Sequence, residues 1–324
     1  MGGLLILRIW IFSDIHNNYY ALKMLYEYIS TSYISGDKVF FLGDFLGYLK
    51  FDKRIIDLLI KMYKNFNLKM IVGNHDAVFF NYINKTNLKI DISDSLIQTI
   101  ENNIIHRNDI LEIFPFINLN KFSLVTNDKK YVLSHGGISD ILNHYYYPDL
   151  DFIEKYKGHF EPNIIYICGH THWPFLYSYN NSNIFINVGS IGLPRDNNPE
   201  SSFLEIKKNS FIIKRRFYQL DKAYEYNSTL SNKIKNRIYF GGKSSYLNFP
   251  LIDVQTDYKF IKHQFKNIYF FKRAIYIKDD KKLWQIYKII FKGKKKYLLR
   301  DLYYEKMYDS LPDLIRRIKN GSKG

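Results

Sequence analysis

One cysteine in 324 residues means that no intrachain disulfide can form. Cys168 is a lone thiol, and a reducing cytoplasm is the expected compartment. No stretch approaches the roughly 18 consecutive apolar residues of a membrane span. The opening run Met1–Leu5 lacks a basic segment and a small-residue cleavage site, so it reads as the start of a core strand, not a signal peptide. Ile6 occupies a position where a myristoylation motif requires Ser or Thr. Negative charge is scarce in one region only. Residues 221–324 hold 24 Lys and Arg against 10 Asp and Glu, and the rest of the chain holds 23 against 21. The formal charge of +16 therefore belongs almost entirely to the C-terminal third. No internal repeat is visible.

A hydrophobic content of 46% is ample for a core, and the length suggests two domains. Residues 4–12 form a near-continuous apolar run, which predicts a buried strand. Leu22, Leu25, Tyr26 and Ile29 then follow at helical spacing. Val39–Leu42 and Met70–Val72 predict two more strands, with a helix over Ile55–Met62 between them. Strand and helix in alternation imply a parallel sheet covered by helices. Residues 79–120 are poorly patterned and predict helices or loops over a site. Tyr131–Leu133, Ile164–Ile167 and Ile184–Ile186 predict further strands. Phe203–Ile206 and Phe211–Ile213, flanking Lys207–Ser210, predict a closing hairpin. Loop-like stretches at Asn227–Ser231 and Gly241–Ser245 place a boundary near 218–245. Beyond it, Tyr269–Ile277 and Leu283–Phe291 predict strands, or a strand and a helix, and Leu302–Ile318 predicts a helix broken at Pro312.

Five motifs stand where apolar runs stop: Ser13-Asp14-Ile15-His16, Leu42-Gly43-Asp44, Val72-Gly73-Asn74-His75-Asp76, Ser134-His135-Gly136 and Gly169-His170-Thr171-His172. Ligands gather at the carboxyl ends of parallel strands, which is where each of these falls. Alternation puts Asp14 and His16 on one side of the chain, within reach of one ion. Aspartate, histidine and asparagine together suit two divalent metals. Taken singly, each motif has an ordinary structural explanation; in one order, each after a strand, they point to a metal site.

The set resembles the calcineurin-like metallophosphoesterase superfamily, and more closely its small bacterial and archaeal phosphodiesterase branch. Asp14–Leu22, Gly43–Tyr48, Gly169–Pro174 and Asn187–Asp196 carry the resemblance, which covers roughly residues 5–218. The strand order suggests, and the resemblance also implies, a four-layer αββα sandwich in residues 1–220; the resemblance does not cover 221–324, which composition and pattern read as a basic, aromatic-rich α+β extension. It implies one metal held by Asp14, His16 and His172, a second by Asn74, His135 and His170, and Asp44 bridging them. Mn²⁺ is the expected metal, with Fe, Zn, Ni or Mg as alternatives. His75, next to a ligand, is the expected general acid, since its reference pKa lies near neutrality. Asp76 either orients that imidazole or caps a helix. Arg195 either clamps substrate phosphate bidentately or belongs to a structural turn. The implied activity is hydrolysis of a phosphodiester or nucleotide. The alternatives are a phosphoprotein or phosphomonoester phosphatase, or a silent binding protein on the same fold.

Four positions depart from the branch. Asn17 replaces a glycine, Leu49-Lys50 replace a Gly-Pro stretch, and Val188 replaces a proline. Asp44-Phe45-Leu46-Gly47 lacks the Asp-Arg-Gly of phosphoprotein phosphatases, which argues against that activity. In the C-terminal third, lysines interleave with aromatics such as Tyr269, Phe270, Trp284 and Tyr297, a pattern suited to single-stranded nucleic acid. A small domain with an aromatic core and a lysine-rich face, or a membrane-surface helix over Leu302–Ile318, are the other readings.

Overall fold

The computed structural model describes residues 8–126, 129–147, 156–179, 183–196, 198–207, 210–231, 234–235, 237–238 and 241. It also describes the backbone of four strands within 268–308. The chain divides into two compact units, Met1–Tyr246 and Leu247–Gly324.

In the first unit the expected alternation appears as β1 (Arg8–Phe12), α1 (Tyr19–Ser30), β2 (Lys38–Phe41), α2 (Arg54–Phe66), β3 (Lys69–Ile71) and α3 (Asn74–Tyr82). The poorly patterned region holds α4 (Asp94–Asn103), α5 (Arg107–Leu111) and the two-residue strand β4 (Ile117–Asn118). Strands β1 to β4 run parallel in one sheet. The predicted hairpin, β10 (Ser201–Lys207) and β11 (Ser210–Arg216), extends it antiparallel, giving the order β11-β10-β1-β2-β3-β4.

A second sheet has the order β5-β6-β7-β9-β8, from Phe122–Thr126, Lys129–Leu133, Ile164–Cys168, Asn183–Asn187 and Phe175–Tyr179 respectively. Its three central strands are parallel, and β5 and β8 are antiparallel edges. These two edges were not foreseen: FSLVT and FLYSY are short and pair only with neighbours that the fold supplies.

Period-two alternation sorts the side chains. Trp10 and Phe12 pack with Leu22, Leu25, Leu59 and Met62 beneath the helices, so Ile9 and Ile11 face the other way. Val132, Ile164, Tyr166 and Cys168 pack under Tyr146 and Tyr156 on the far face of the second sheet. Tyr131, Leu133, Ile165 and Ile167 therefore turn back toward the first sheet. Phe40 meets Phe122 at 5.8 Å and Tyr131 meets Phe211 at 6.5 Å across that interior. The sandwich buries Cys168, as its position at the end of an apolar strand implies.

The first unit extends beyond residue 220. Helix α6 (Leu220–Tyr226) buries Leu220 and Ala223, with Tyr218 and Ile238, against Ala21, Leu49 and Leu193. Its apolar side is completed only by residues far off in sequence, and the unit closes at Tyr246, the far edge of the stretch where loop-like residues placed the boundary. In the second unit β12 (Ile268–Asp279), β13 (Lys282–Phe291), β14 (Lys294–Asp301) and β15 (Lys306–Tyr308) form an antiparallel meander. Leu283–Phe291 is thus a strand. Within the predicted helix Leu302–Ile318, Lys306–Tyr308 is strand and the remainder lies outside the described residues.

Candidate metal centre

Five loops, each leaving the carboxyl end of β1, β2, β3, β6 or β7, converge between the two sheets. The first two are zipped together by backbone bonds from the N–H groups of Asp14 to the Gly43 carbonyl (3.0 Å), Ile15 to Asp44 (2.8 Å) and Asn17 to Phe45 (2.8 Å). Asp14, His16, Asp44, His170 and His172 all have left-handed backbone, with φ of 58°, 47°, 63°, 69° and 62°. Asn17, in place of the branch's glycine, also has φ 61°, which Asn tolerates, and its amide bonds the Leu49 carbonyl at 2.9 Å. A Cβ on Gly73 would collide with the Asp44 carboxylate and backbone nitrogen. Glycine there lets β3 approach the β2 loop closely enough for the His75 N–H to donate to Asp44 Oδ1 at 2.9 Å.

The segment Asn187–Asp196 locks the loops of both sheets. Asn187 donates to the Gly169 carbonyl (2.6 Å) and to the Thr171 hydroxyl (2.9 Å). Ser190 Oγ donates to the Asp14 carbonyl at 2.7 Å. Ile191 and Gly192 donate N–H groups to Ser13 and Asp14. Val188 is buried here. The late motif is thus a structural clamp on the ligand loops.

All seven expected ligands come together, and all are buried. Asp14, His16 and His172 offer ligand atoms within 4.8 Å of one another, and so do Asp44, His135 and His170. Asn74 joins the second group, its Oδ1 lying 3.0 Å from His135 Nε2. His16, Asp44 and His75 form a third, overlapping group.

The donor chemistry fits cations. His16, His135 and His172 each present Nδ1 to a backbone carbonyl, of Leu46 (2.9 Å), Leu42 (2.8 Å) and Leu193 (2.5 Å). An Nδ1–H donor in each case leaves Nε2 with a lone pair aimed inward. His16 Nε2 and His172 Nε2 then face each other at 2.9 Å, and His135 Nε2 faces His170 Nδ1 at 3.1 Å. In the His16–His172 couple both Nε2 atoms are acceptors, and two lone pairs that close repel unless a positive charge lies between them; His135 Nε2 and His170 Nδ1 can share a proton or a metal ion. Asp14 Oδ1 and His170 Nε2 are buried without a hydrogen bond, at a cost that a bound cation would relieve.

The pKa shifts tell the same story. Burial raises the Asp14 carboxyl, but His172 and His16 outweigh it and hold it well below the usual range. Burial likewise opposes ionisation of Asp44, and His135 and His75 overcome it. Burial pushes His172 down to about 3. Burial also lowers His135, but the Asp44 carboxylate outweighs it and lifts His135 to about 9. A proton there occupies a place suited to a metal, so metal loading competes with protons.

Residues 7–209 match the sequence model of the calcineurin-like phosphoesterase superfamily domain. The chain belongs to this superfamily. An uncharacterised protein of Methanocaldococcus jannaschii is 26% identical over 250 residues, covering 70% of this chain and 92% of the relative. The symmetrical bis(5'-nucleosyl)-tetraphosphatase of Buchnera aphidicola is 27% identical over 172 residues, covering 53% of this chain and 55% of that enzyme. The crystal structure of a metallophosphoesterase from Sphaerobacter thermophilus matches with TM-score 0.55 at 19% identity, covering 73% of this chain and 99% of that one. At that identity the likeness supports the fold alone.

In this calcineurin-like phosphoesterase, Asp76 does not face the His75 imidazole. Its carboxylate accepts the backbone N–H groups of Asp44 (2.7 Å), Leu46 (3.1 Å) and Gly73 (3.1 Å), closing the first turn of α3 onto the β2 loop. Of the two readings the sequence left open, the helix cap is the one the geometry carries. Burial and then Asp44 push its pKa up to about 7, while the three N–H groups pull it down. Asp76→Ala should leave those donors unpaired and cost about 3 kcal/mol of stability, given about 1–3 kcal/mol for each buried orphan. Urea denaturation of the metal-free protein measures it, and an unchanged midpoint would count against the cap.

The residue facing His75 is Thr99 on α4, whose Oγ1 lies 2.6 Å from His75 Nδ1 and donates to the Ser95 carbonyl at 2.9 Å. The hydroxyl proton is therefore used, so His75 Nδ1 carries a hydrogen and Nε2 is a bare acceptor. Burial pushes His75 down to about 3, below the near-neutral value expected from sequence. A second residue that sequence reasoning missed is Arg237. Its Cζ lies 4.5 Å from the centre of the Tyr48 ring and its Nη2 is 3.5 Å from His172 Nδ1. Arg195 Nη2 donates to the Tyr48 hydroxyl at 2.9 Å.

Proposed function

We propose that the protein is a two-metal phosphoesterase acting on a phosphodiester or nucleotide-type substrate. The observation that carries this is the pair of facing ring-nitrogen couples, His16–His172 and His135–His170, joined through Asp44. Asp14, His16 and His172 would hold one ion, Asn74, His135 and His170 the other, and Asp44 both, Mn²⁺ being the first choice. Two bound cations would supply Lewis-acid charge to the phosphoryl oxygens and acidify the attacking water.

The neutral amide of Asn74 adds no negative charge where an anionic ester must approach. His75 sits at the edge of the centre, its ring 4.9 Å from His16 and 4.9 Å from Tyr48, placed to protonate the leaving oxygen. An anionic ester beside His75 raises its affinity for the proton it needs. Tyr145, 44% exposed, packs over His170 at 3.9 Å and offers a face for a nucleobase or aryl group. The relative from Buchnera aphidicola, a nucleotide hydrolase by name, supports the same reading.

The decisive experiment is cleavage of bis(p-nitrophenyl) phosphate before and after chelation. Activity should vanish on chelation and return with Mn²⁺. Unchanged turnover by protein shown to be metal-free would sink the proposal, and inactivity of the reloaded enzyme on every phosphoester class would favour a binding protein.

A further inference from the structure

Arg195 and Arg237 are two cations with no carboxylate in ion-pair range among the described residues, and both rest on one tyrosine. Arg237 is 8% exposed, and its Cζ is 4.5 Å from the Tyr48 ring centre; that of Arg195 is 5.9 Å. The Tyr48 ring in turn lies 4.8 Å from His16 and 6.4 Å from His172, so both guanidiniums border the metal centre. A guanidinium is charged at neutral pH, so two like charges stand side by side here. The carboxylate with an electrostatic effect on Arg237, Asp14, belongs to the centre itself.

Burying an unpaired guanidinium is expensive, and a second like charge beside it makes it more so. Cations in the adjacent centre would add to the repulsion. A fold tolerates this arrangement where an anion completes it. The scissile phosphoryl group is already served by the metal centre. The charge unmatched by it requires further negative charge on the substrate, and a planar fork is the donor that matches a second phosphoryl group.

We propose that Arg237 and Arg195, held by Tyr48, form a subsite for a non-scissile phosphoryl group, so that the substrate is a nucleotide or ester carrying at least two neighbouring phosphates. This rests on the two-metal reading. It assigns a substrate contact to a residue outside the matched family domain, which ends at residue 209. Arg237 reaches the centre because Ile238, beside it, is anchored in the cluster with Leu49, Leu193 and Leu220.

The test compares Arg237→Met with the parent protein on diadenosine tetraphosphate and on bis(p-nitrophenyl) phosphate, both with Mn²⁺. Expected is a fall in kcat/KM for the tetraphosphate of about 10²-fold, the scale of a lost charge-assisted bidentate contact. The fall for the single-phosphate diester should be at least tenfold smaller. Inorganic pyrophosphate binding to metal-free protein, by calorimetry, should weaken in parallel, and Arg237→Lys should restore part of it. The melting temperature of Arg237→Met should hold or rise, since an unpaired buried charge is removed. Equal losses on both substrates with a lowered melting temperature would make Arg237 a packing residue and overturn the inference. Unaltered pyrophosphate binding would overturn it too. If the parent protein cleaves neither ester, the phosphoesterase reading fails instead, and the calorimetry still decides the subsite.

Discussion

Asp44→Asn should abolish measurable turnover, with kcat/KM on a small diester reduced by about 10⁴-fold or more. Asp44 Oδ2 lies 3.3 Å from His135 Nε2 and 3.7 Å from His16 Nε2, on the border of both ligand groups. Among the described residues no other carboxylate falls in a ligand group with both His16 and His135, so one substitution removes a negative charge from two positions. The asparagine amide also offers N–H groups where the centre needs acceptors. Weakening both cations removes several kcal/mol of transition-state stabilisation, at about 1.36 kcal/mol per decade of rate. Metal content by mass spectrometry should fall along with activity. Two metal equivalents retained with a mild kinetic defect would show that Asp44 does not bridge.

His75→Asn should cost about 10²–10⁴-fold in kcat, the range for a lost general acid, with metal content intact. The geometry makes this a real choice, because His75 also falls in a ligand group with His16 and Asp44. The hydrogen bond to Thr99 is compatible with either role; what favours the acid role is that the two proposed ligand sets are complete without His75. Substrates with good leaving groups give a second readout. The loss should shrink markedly for p-nitrophenolate, which departs without a proton, relative to an alkoxide leaving group. A uniform loss with departure of one metal equivalent would reassign His75 as a ligand.

The candidate ligands were legible because each sits in a short contiguous motif whose position a strand end fixes. Asp14, His16, Asp44, Asn74, His135, His170 and His172 needed no knowledge of how the two sheets pack to be picked out. The residues that support them were hidden because their partners are remote. Thr99 meets a histidine 24 positions away, and Arg237 meets one 65 positions away. In hindsight α4 carried a clue. Leu96, Thr99 and Asn103 are its buried residues, so polar side chains occupy the face that should be apolar. Asp76 stayed ambiguous for the opposite reason: its neighbour in sequence is the imidazole, but at the third position of a helix a carboxylate reaches back to backbone N–H groups. Arg237 was counted as part of a basic tail, a category that averages its charge with lysines of another unit.

The left-handed corners bear on whether this centre can be transplanted. Among the described residues, every non-glycine with positive φ that is not an expected ligand is an asparagine: Asn17, Asn67, Asn84 and Asn163. Where a corner is all the backbone requires, the chain uses the residue that tolerates it best. Among the described residues aspartate and histidine take such a corner only at the expected ligands, at about 1 kcal/mol or more apiece. Copying the seven side chains onto another sandwich would therefore reproduce the inventory and miss the aim of five of them. A designer would have to graft the interlocked loops first, together with the Asn187–Asp196 clamp, and only then install the histidines.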